Sequence, residues 1–481
     1  MRAWSASVDR PHRLIGSAGL LLGLLGALFT LNVLMHFPGK LNSDSVSQYA
    51  QAVAGQYSDW HPPIMAWLWG RLRVFGDGPA PFLVLHLAAY WAGFGLLADA
   101  LRRNGHPRLG LLMLASGAFP LSLYLNGIVM KDVGMVAAWL SAIGLVFWFR
   151  VQQRKIPAAW LVVIAVFTIY GTMVRGNALF ALGPVLVFML SASPAWMRTT
   201  SLMIAAVVVA VLALPVLQLS NRVLFDAAPR SWVHALYLYD LMGIAKHQQN
   251  PALLAPRANF TAQDLQDCYT PYWFDSLSPW GRCASRLNRP DPNFITDGDG
   301  VTLQWLKTIA AHPVSYAIHR LKHFNSALLF VVPLKHIRFT PEYLRPGEGL
   351  VAEVVTERDI KMDLLRKPPF SWPIVWLVWS VPLLIFLSRL RGEPSVYLAR
   401  ALSVSALGYS SAYLLIGVAT DIRFHYWTIL ALMIANIAVL PQLVQGFRHR
   451  SAVLWSGFSA VVLVTVIGIA ARLLDFKAWV I

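Results

Sequence analysis

The chain is short of charge and of cysteine. Only 13% of its 481 residues are charged, against about 25% in an ordinary soluble domain, and 57% are hydrophobic. This composition excludes an ordinary soluble domain and favours a membrane protein. The two cysteines lack the spacing of a metal site, so cysteine-ligated metal and catalytic cysteine chemistry are not expected. An internal repeat, which is typical of many secondary transporters, is also missing.

Long apolar runs are what the sequence has in excess. They approach the roughly 20 residues that a helix needs to cross the hydrocarbon core of a bilayer. Eleven runs predict spanning helices near residues 13–36, 80–101, 108–126, 130–149, 156–174, 177–193, 201–219, 372–388, 396–418, 425–444 and 453–474. We therefore expect an all-α polytopic membrane protein with about eleven transmembrane helices.

Basic residues account for the net charge of +17, and they recur at every second predicted loop. Acidic residues are few in the same loops. The basic residues are Arg2, Arg10, Arg102, Arg103, Arg108, Arg150, Arg154, Lys155, Arg198, Arg389, Arg391, Arg448 and Arg450. This is the positive-inside pattern, and it predicts a cytoplasmic N-terminus. A nucleic-acid partner is not expected, because its basic patch would be clustered on a water-facing surface.

One long interval, residues 220–371, has no spanning run and lies outside by the loop count. Its length is sufficient for a small soluble domain. Within it, the segment 312–334 has apolar residues at helical spacing interrupted by cations, which predicts a helix along the membrane surface. The expected organisation is a membrane core at 1–219 with a first outer loop at 37–79, a periplasmic domain at 220–371, and C-terminal spanning helices at 372–481.

Both cysteines, Cys268 and Cys283, fall in this outer segment. If the segment is periplasmic, the compartment is oxidising, and a disulfide that closes a short loop is expected. The alternative is two unrelated thiols.

The first outer loop carries three candidate site residues: Asp44, Asp59 and His61. Asp44 lies where helical spacing begins, at or near an N-cap, and a cap alone is one interpretation. Asp59 and His61 flank a tryptophan in a proline-stiffened turn. They offer a carboxylate and an imidazole at the predicted membrane surface.

Polar residues also occur at the outward ends of other apolar runs. They are Lys131, Asp132, Arg175, Asn177, Asp421, Arg423 and His425. Ionisable groups at the ends of membrane helices are costly to desolvate unless they are paired, hydrated or used. A local Lys131–Asp132 pair and snorkelling of Arg175 are the simpler interpretations. Three cations on one side of the bilayer nevertheless indicate an anionic ligand such as a phosphate.

These stretches resemble the GT-C superfamily of integral-membrane glycosyltransferases, which includes protein O-mannosyltransferases and lipid A aminoarabinose transferases. The bacterial family-39-like branch is the most similar. The resemblance rests on four stretches: Asp44 through Pro63, Lys131-Asp132, Arg175-Gly176-Asn177 and Asp421-Ile422-Arg423-Phe424. The acidic pair Asp-Glu of that family appears here as Asp44-Ser45, so a divalent metal is possible but not implied, and no other cofactor is expected.

The resemblance implies a multi-pass protein of the bacterial inner membrane with a periplasmic active site. The donor would be a polyprenyl-phosphate sugar, and the acceptor a hydroxyl of a glycan, lipid or protein. Asp44 would be the general base, and Asp132 would orient Lys131 or assist the acceptor. Lys131, Arg175 and Arg423 would bind the phosphate. Asp59 and His61 would line the donor sugar, and Asn177, Asp421 and His425 complete the substrate-binding set.

Two other classes stay open. An O-antigen ligase or polymerase uses a lipid diphosphate-linked glycan and an outer loop rich in arginine and histidine. The outer segment has such residues at His312, His319, Arg320 and His323. A secondary transporter is less favoured, because transporters place their charges near the bilayer midplane.

Overall fold

The computed structural model describes residues 17–191, 193–230, 232–255, 258–278, 281–287, 300–333, 343–345, 353–355, 368–390 and 392–476. The start of the first predicted run and the basic residues Arg2, Arg10 and Arg391 lie outside the described residues, as does the end of the segment 312–334. The part that the structure describes is overwhelmingly helical.

The first half of the chain forms ten helices within the described residues. They are α1 (Ala18–His36), α2 (Ser43–Ala54), α3 (Pro63–Leu72), α4 (Ala80–Arg103), α5 (Pro107–Ser116), α6 (Pro120–Asn126), α7 (Lys131–Val151), α8 (Ala158–Met173), α9 (Leu179–Leu190) and α10 (Thr199–Phe225). Short 3₁₀ turns lie at Arg73–Phe75 and Gly176–Ala178.

The second half begins with four helices of the outer segment and ends with five further helices. They are α11 (Trp232–Gln248), α12 (Ala262–Cys268), α13 (Val301–Ala311), α14 (Pro313–Ala327), α15 (Pro373–Ser388), α16 (Pro394–Ile416), α17 (Tyr426–Ala438), α18 (Leu440–Arg448) and α19 (Ala452–Leu473). Further 3₁₀ turns lie at Pro251–Leu254, Asp275–Leu277, Ala284–Arg286, Pro369–Ser371 and Ile422–His425. Two three-residue strands, β1 (Tyr343–Arg345) and β2 (Glu353–Val355), pair antiparallel.

Five described helices are long and apolar enough to cross a membrane: α1, α4, α7, α10 and α19. Three further pairs are bent at a short break, by 51° between α5 and α6, 116° between α8 and the segment Gly176–Leu190, and 70° between Ile422–Ala438 and α18. The count rises to eight if each pair is one span. The chain is therefore an all-α membrane protein, and the count of eleven stays a prediction.

α7 is the central helix, and nearly all of its side chains are buried. It packs closely on α4 at Gly93, where an added Cβ would lie 2.7 Å from the backbone carbonyl carbon of Leu140. By contrast, α10 and α19 expose apolar side chains such as Val207, Val211 and Leu463. Exposed apolar faces of this kind are what lipid covers, because lipid tails solvate them as well as a protein core does.

The outer segment has a separate hydrophobic core. Leu238, Tyr239 and Met242 of α11 pack there with Leu265 and Phe274. Cys268 and Cys283 are joined in a disulfide, with their Cα atoms 6.0 Å apart. The disulfide closes the short loop that the sequence led us to expect.

The helix expected within 312–334 is α14. Unexpectedly, it exposes apolar side chains and buries its histidines. Val314, Ile318 and Leu321 are exposed, whereas His319 and His323 are completely buried. The exposed apolar face suits a position along the membrane surface, and that position stays a prediction.

Two contacts attach the outer segment to the loop after α16. Arg320 of α14 donates from NH1 to the carbonyl oxygen of Gly417, at 2.6 Å. The backbone N–H of Phe274 donates to the carbonyl oxygen of Val418, at 2.7 Å. The outer segment thus holds the backbone immediately before Asp421 and Arg423.

The buried pair Asp240–Arg320 should be essential for stability. Removing one partner of such a pair leaves an uncompensated buried charge, which costs about 3–5 kcal/mol. Asp240 contacts Arg320, His319 and the indole N–H of Trp305. We expect Asp240→Ala to lower the free energy of unfolding by about that amount, measured by chemical denaturation in detergent micelles.

The control is Asp77→Ala, because Asp77 is 72% exposed and forms a surface ion pair with Arg73. A change of at most about 1 kcal/mol is expected there. Equal losses in the two variants would contradict the assigned role of Asp240.

Candidate functional site

The first outer loop is fixed to the start of α7 by backbone pairing. The N–H of Lys40 donates to the carbonyl oxygen of Gly127, and the N–H of Val129 donates to that of Lys40, both at 2.9 Å. The hydroxyl of Ser45 donates to the carbonyl oxygen of Val129. The beginning of α2 is thereby held beside Lys131, the first residue of α7.

Asp44 lies in the first turn of α2. The N-cap is its neighbour Asn42, whose side chain accepts from the N–H of Ser45 at 2.9 Å. Asp44 is therefore near the N-cap, as expected, but the capping bond is made by another residue. A carboxylate in the first turn also interacts favourably with the helix dipole. Because Asn42 makes the capping hydrogen bond, the side chain of Asp44 is available for other contacts.

Three groups from three separate segments converge on the Asp44 carboxylate. Lys131 Nζ lies 3.2 Å from Oδ2, and Arg423 NH2 lies 3.1 Å from the same oxygen. His61 Nε2 lies 3.8 Å from Oδ1. Burial alone would raise the pKa of Asp44, but the charges of Lys131 and Arg423 hold it well below its usual range. Asp44 is ionised at neutral pH.

His61 is neutral, and its tautomer follows from its partner. Lys131 Nζ lies 2.9 Å from His61 Nδ1. Because an ammonium group can only donate, Nδ1 must accept and the ring proton must be on Nε2. Burial, together with the charge of Lys131, lowers the pKa of His61 to about 3. The Nε2 proton is therefore on the side of the ring that faces Asp44.

Arg423 is held by a second carboxylate as well. Its Nε lies 3.0 Å from Asp421 Oδ2, and Asp421 Oδ1 accepts from the Arg423 backbone N–H at 3.1 Å. The 3₁₀ turn Ile422–His425, which Asp421 caps, thereby presents the guanidinium group to Asp44.

Arg175 lies at the turn between α8 and α9, behind Arg423. Its Nε is 3.2 Å from Asp132 Oδ1, and its NH2 donates to the hydroxyl of Tyr413 at 3.2 Å. The ring of Phe424 contacts both guanidinium groups, with its centroid 4.8 Å from that of Arg175 and 5.2 Å from that of Arg423. Such cation–π contacts keep both groups in place.

These ionic side chains form what we call the ion-pair cluster. It consists of the cations Lys131, Arg175 and Arg423 and the carboxylates Asp44, Asp132 and Asp421. Three positive charges face three negative ones, so the cluster is neutral as it stands. Asp44 is its most exposed carboxylate, at 22%, whereas Asp132 is only 1% exposed.

Four of the predicted site residues make contacts that differ from those expected from the sequence. Asp132 pairs with Arg175 and not with Lys131. Asn177 donates to the hydroxyl of Tyr413, one layer behind the cluster. The Asp59 carboxylate accepts from the backbone N–H of Arg230.

His425 is the fourth predicted site residue whose contacts differ from those expected. It is completely buried, and its Nδ1 lies 2.8 Å from the hydroxyl of Ser410. Among the residues that the structure describes, neither Asp59 nor His425 forms an ion pair with the cluster.

Sequence reasoning missed two aromatic residues. Tyr413 binds Arg175 and Asn177 through its hydroxyl, and its ring stacks on Phe424 with centroids 5.5 Å apart. Tyr413 lies within an apolar run, where nothing distinguishes it from an ordinary core residue. Phe424 could have been noticed as the aromatic residue directly after Arg423.

Within the described part of the chain, no group of three or more His, Cys, Asp or Glu side chains is arranged to hold a metal ion. The chain matches no family model, no curated protein and no solved structure. The fold and the site therefore define a helical membrane protein with a partly exposed carboxylate that is held between two cations.

The neutral state of His61 can be tested through the pH dependence of stability. The fold lowers its pKa from 6.5 to about 3, so the unfolded chain binds one more proton between these values. The contribution of neutral His61 to the free energy of unfolding is then complete only above about pH 6.5, and it is lost as the pH falls. Between about pH 7.5 and about pH 5, we expect wild type to lose about 2 kcal/mol more unfolding free energy than His61→Asn.

Chemical denaturation of both proteins in micelles at the two pH values gives this difference. The other histidines are present in both proteins, so their effects cancel. Parallel losses would show that His61 has an ordinary pKa.

Proposed function

We propose that this chain is a GT-C-type glycosyltransferase, which moves a sugar from a polyprenyl-phosphate donor to a hydroxyl acceptor. One observation carries the proposal: the partly exposed Asp44 carboxylate lies within 3.2 Å of Lys131 and Arg423. A general base and cations that can bind a phosphate are thus adjacent. Glycosyl transfer from a lipid phosphate needs both of these groups.

The proposed topology has eleven spans, a cytoplasmic N-terminus and the ion-pair cluster on the periplasmic side of a bacterial inner membrane. Several observations support it. The bend of 116° after α8 makes the following helix run back, so that α8 and α9 count as two spans. Lys131, Arg175 and Arg423 come together although they lie at the ends of different helices. Helix ends that lie on one side of the membrane, as the proposed topology has them, would bring these residues together.

In the proposed reaction, Asp44 accepts the proton of the attacking hydroxyl. The acceptor oxygen forms a bond to the anomeric carbon of the sugar, with inversion. The bond from that carbon to the phosphate oxygen breaks, and the polyprenyl phosphate leaves with the electron pair. A positioned base of this kind contributes about 10²–10⁴-fold to a rate.

Lys131 and Arg423 would bind the phosphate of the donor. Arg423 NH1 is buried and has no hydrogen-bond partner among the described residues. This nitrogen is a hydrogen-bond donor that has lost its contact with water. A phosphate oxygen that accepted from it would compensate for that loss. Cations fixed before the reaction stabilise the leaving group without any rearrangement.

The two less exposed carboxylates, Asp421 and Asp132, position the arginines of the cluster. Asp421 holds Arg423, and Asp132 holds Arg175. The Nε2 proton of His61 faces Asp44 and is within reach of a sugar hydroxyl that approaches it. Asp59 acts indirectly, because it ties the first outer loop to the backbone of Arg230.

A ligase or polymerase that works through the outer histidines is less well supported. His319 contacts Asp240 and Tyr269, and His323 contacts Tyr239 and the carbonyl oxygen of Pro271. Both are completely buried. A transporter is disfavoured because the cluster lies at helix ends and on loops, not halfway along the spans.

The topology can be tested with single added cysteines, because both native cysteines are in the disulfide. Gln263 and Arg154 are exposed positions on the proposed outer and inner sides. In cells with a permeabilised outer membrane, an impermeant thiol reagent should label Gln263→Cys and leave Arg154→Cys unlabelled. Labelling of both after lysis is the control. The reverse pattern would overturn the orientation.

The function can be tested with purified protein and a panel of polyprenyl-phosphate sugars. We expect transfer or hydrolysis by wild type, and a kcat lower by about 10²–10⁴-fold in Asp44→Asn, because its amide cannot accept the proton. Asp77→Asn, an exposed position in the same loop, is the matched control and should keep wild-type turnover. Full activity of Asp44→Asn would exclude Asp44 as the base. Turnover only of a diphosphate-linked glycan would favour the ligase or polymerase class.

A further inference from the structure

The neutrality of the ion-pair cluster conflicts with the binding of an anion. Each of its three cations already contacts a carboxylate. A phosphate added to this arrangement would leave a partly desolvated site with an unbalanced negative charge, which is unfavourable. Binding therefore requires one carboxylate to give up its cations.

Asp44 is the carboxylate that can do this. Asp132 is 1% exposed and lies on the central helix α7. Asp421 is 12% exposed and also caps the turn that carries Arg423. Asp44 is 22% exposed, and its side chain contacts the two cations and His61.

Both cations have a second contact that would keep them in place. Lys131 keeps Nδ1 of His61, at 2.9 Å. Arg423 keeps Asp421 through Nε and the ring of Phe424. If Asp44 turned away, Nζ of Lys131 and NH2 of Arg423 would remain close together and would present a pair of donors to one phosphate group.

We infer that the donor phosphate displaces Asp44 from Lys131 and Arg423 and that this displacement frees Asp44 to act as the base. We call this arrangement the carboxylate latch. The inference rests on the proposed function and extends it, because it makes the base dependent on the bound donor. Before displacement, Asp44 is a poor proton acceptor, because the two cations hold its pKa well below its usual range. The donor must then bind before the acceptor can react.

The latch makes an unusual prediction for the inactive variant. Asp44→Asn removes the charge that competes with the phosphate, so the variant should bind the lipid more tightly than wild type although it does not turn over. We expect a Kd for polyprenyl phosphate lower by at least about tenfold, which corresponds to about 1.4 kcal/mol. Isothermal titration of the full-length protein in micelles measures the Kd.

Asp44→Ser is a second variant, in case the amide disturbs the first turn of α2. It should show the same gain in affinity for polyprenyl phosphate. Asp77→Asn, with the same change of charge in the same loop, should bind like wild type. Inorganic phosphate, titrated in parallel, should show the same order of affinities, because the phosphate charge is what displaces Asp44. The opposite order would overturn the latch.

The remaining outcomes are distinct. If wild type binds polyprenyl phosphate and both Asp44 variants bind it equally or more weakly, the latch is wrong and the proposed function stands. If Asp77→Asn gains as much affinity for polyprenyl phosphate as Asp44→Asn does, the gain is a general effect of charge and the latch is again wrong. If none of the proteins binds polyprenyl phosphate, the latch and the proposed function both fail.

Discussion

The Asp44 carboxylate, held between Lys131 and Arg423, is the interaction on which the account depends. It joins a loop helix, the first residue of the central helix and the turn before α17. Charges that are this poorly solvated persist only when they are paired. Further contacts therefore support these segments. The pairing of Lys40 with Gly127 joins the first outer loop to the start of α7, and the Asp421 cap and the outer segment bound at Gly417 and Val418 both support the turn before α17.

The outer segment thus has a structural function besides any role in recognition. Its helix α14 directs histidine and arginine inward and apolar side chains outward. The inward arginine, Arg320, bridges Asp240 and the loop that leads to Arg423. The stability of the outer segment and the geometry of the site are consequently linked through the buried guanidinium group of Arg320 and the backbone hydrogen bond of Phe274.

The sequence predicts the membrane class, the disulfide partners and all six members of the ion-pair cluster, because desolvation makes charges at the ends of apolar runs conspicuous. Their pairing could not be predicted. Lys131 and Asp132 are neighbours in sequence, but consecutive residues of a helix do not face each other. They therefore pair with Asp44 and Arg175 respectively. The bends inside the runs 108–126 and 425–444 are equally hidden, since a hydropathy pattern counts apolar residues and contains no axis direction. Helical spacing in α14 also does not reveal which face is buried.

The most direct test of the central claim is a structure determined with polyprenyl phosphate bound. We expect the phosphate between Lys131 Nζ and Arg423 Nη2, with the Asp44 carboxylate turned away from both and open to an acceptor. Arg423 should keep Asp421, and Lys131 should keep His61. A phosphate bound elsewhere, with Asp44 still in contact with both cations, would contradict the proposed site.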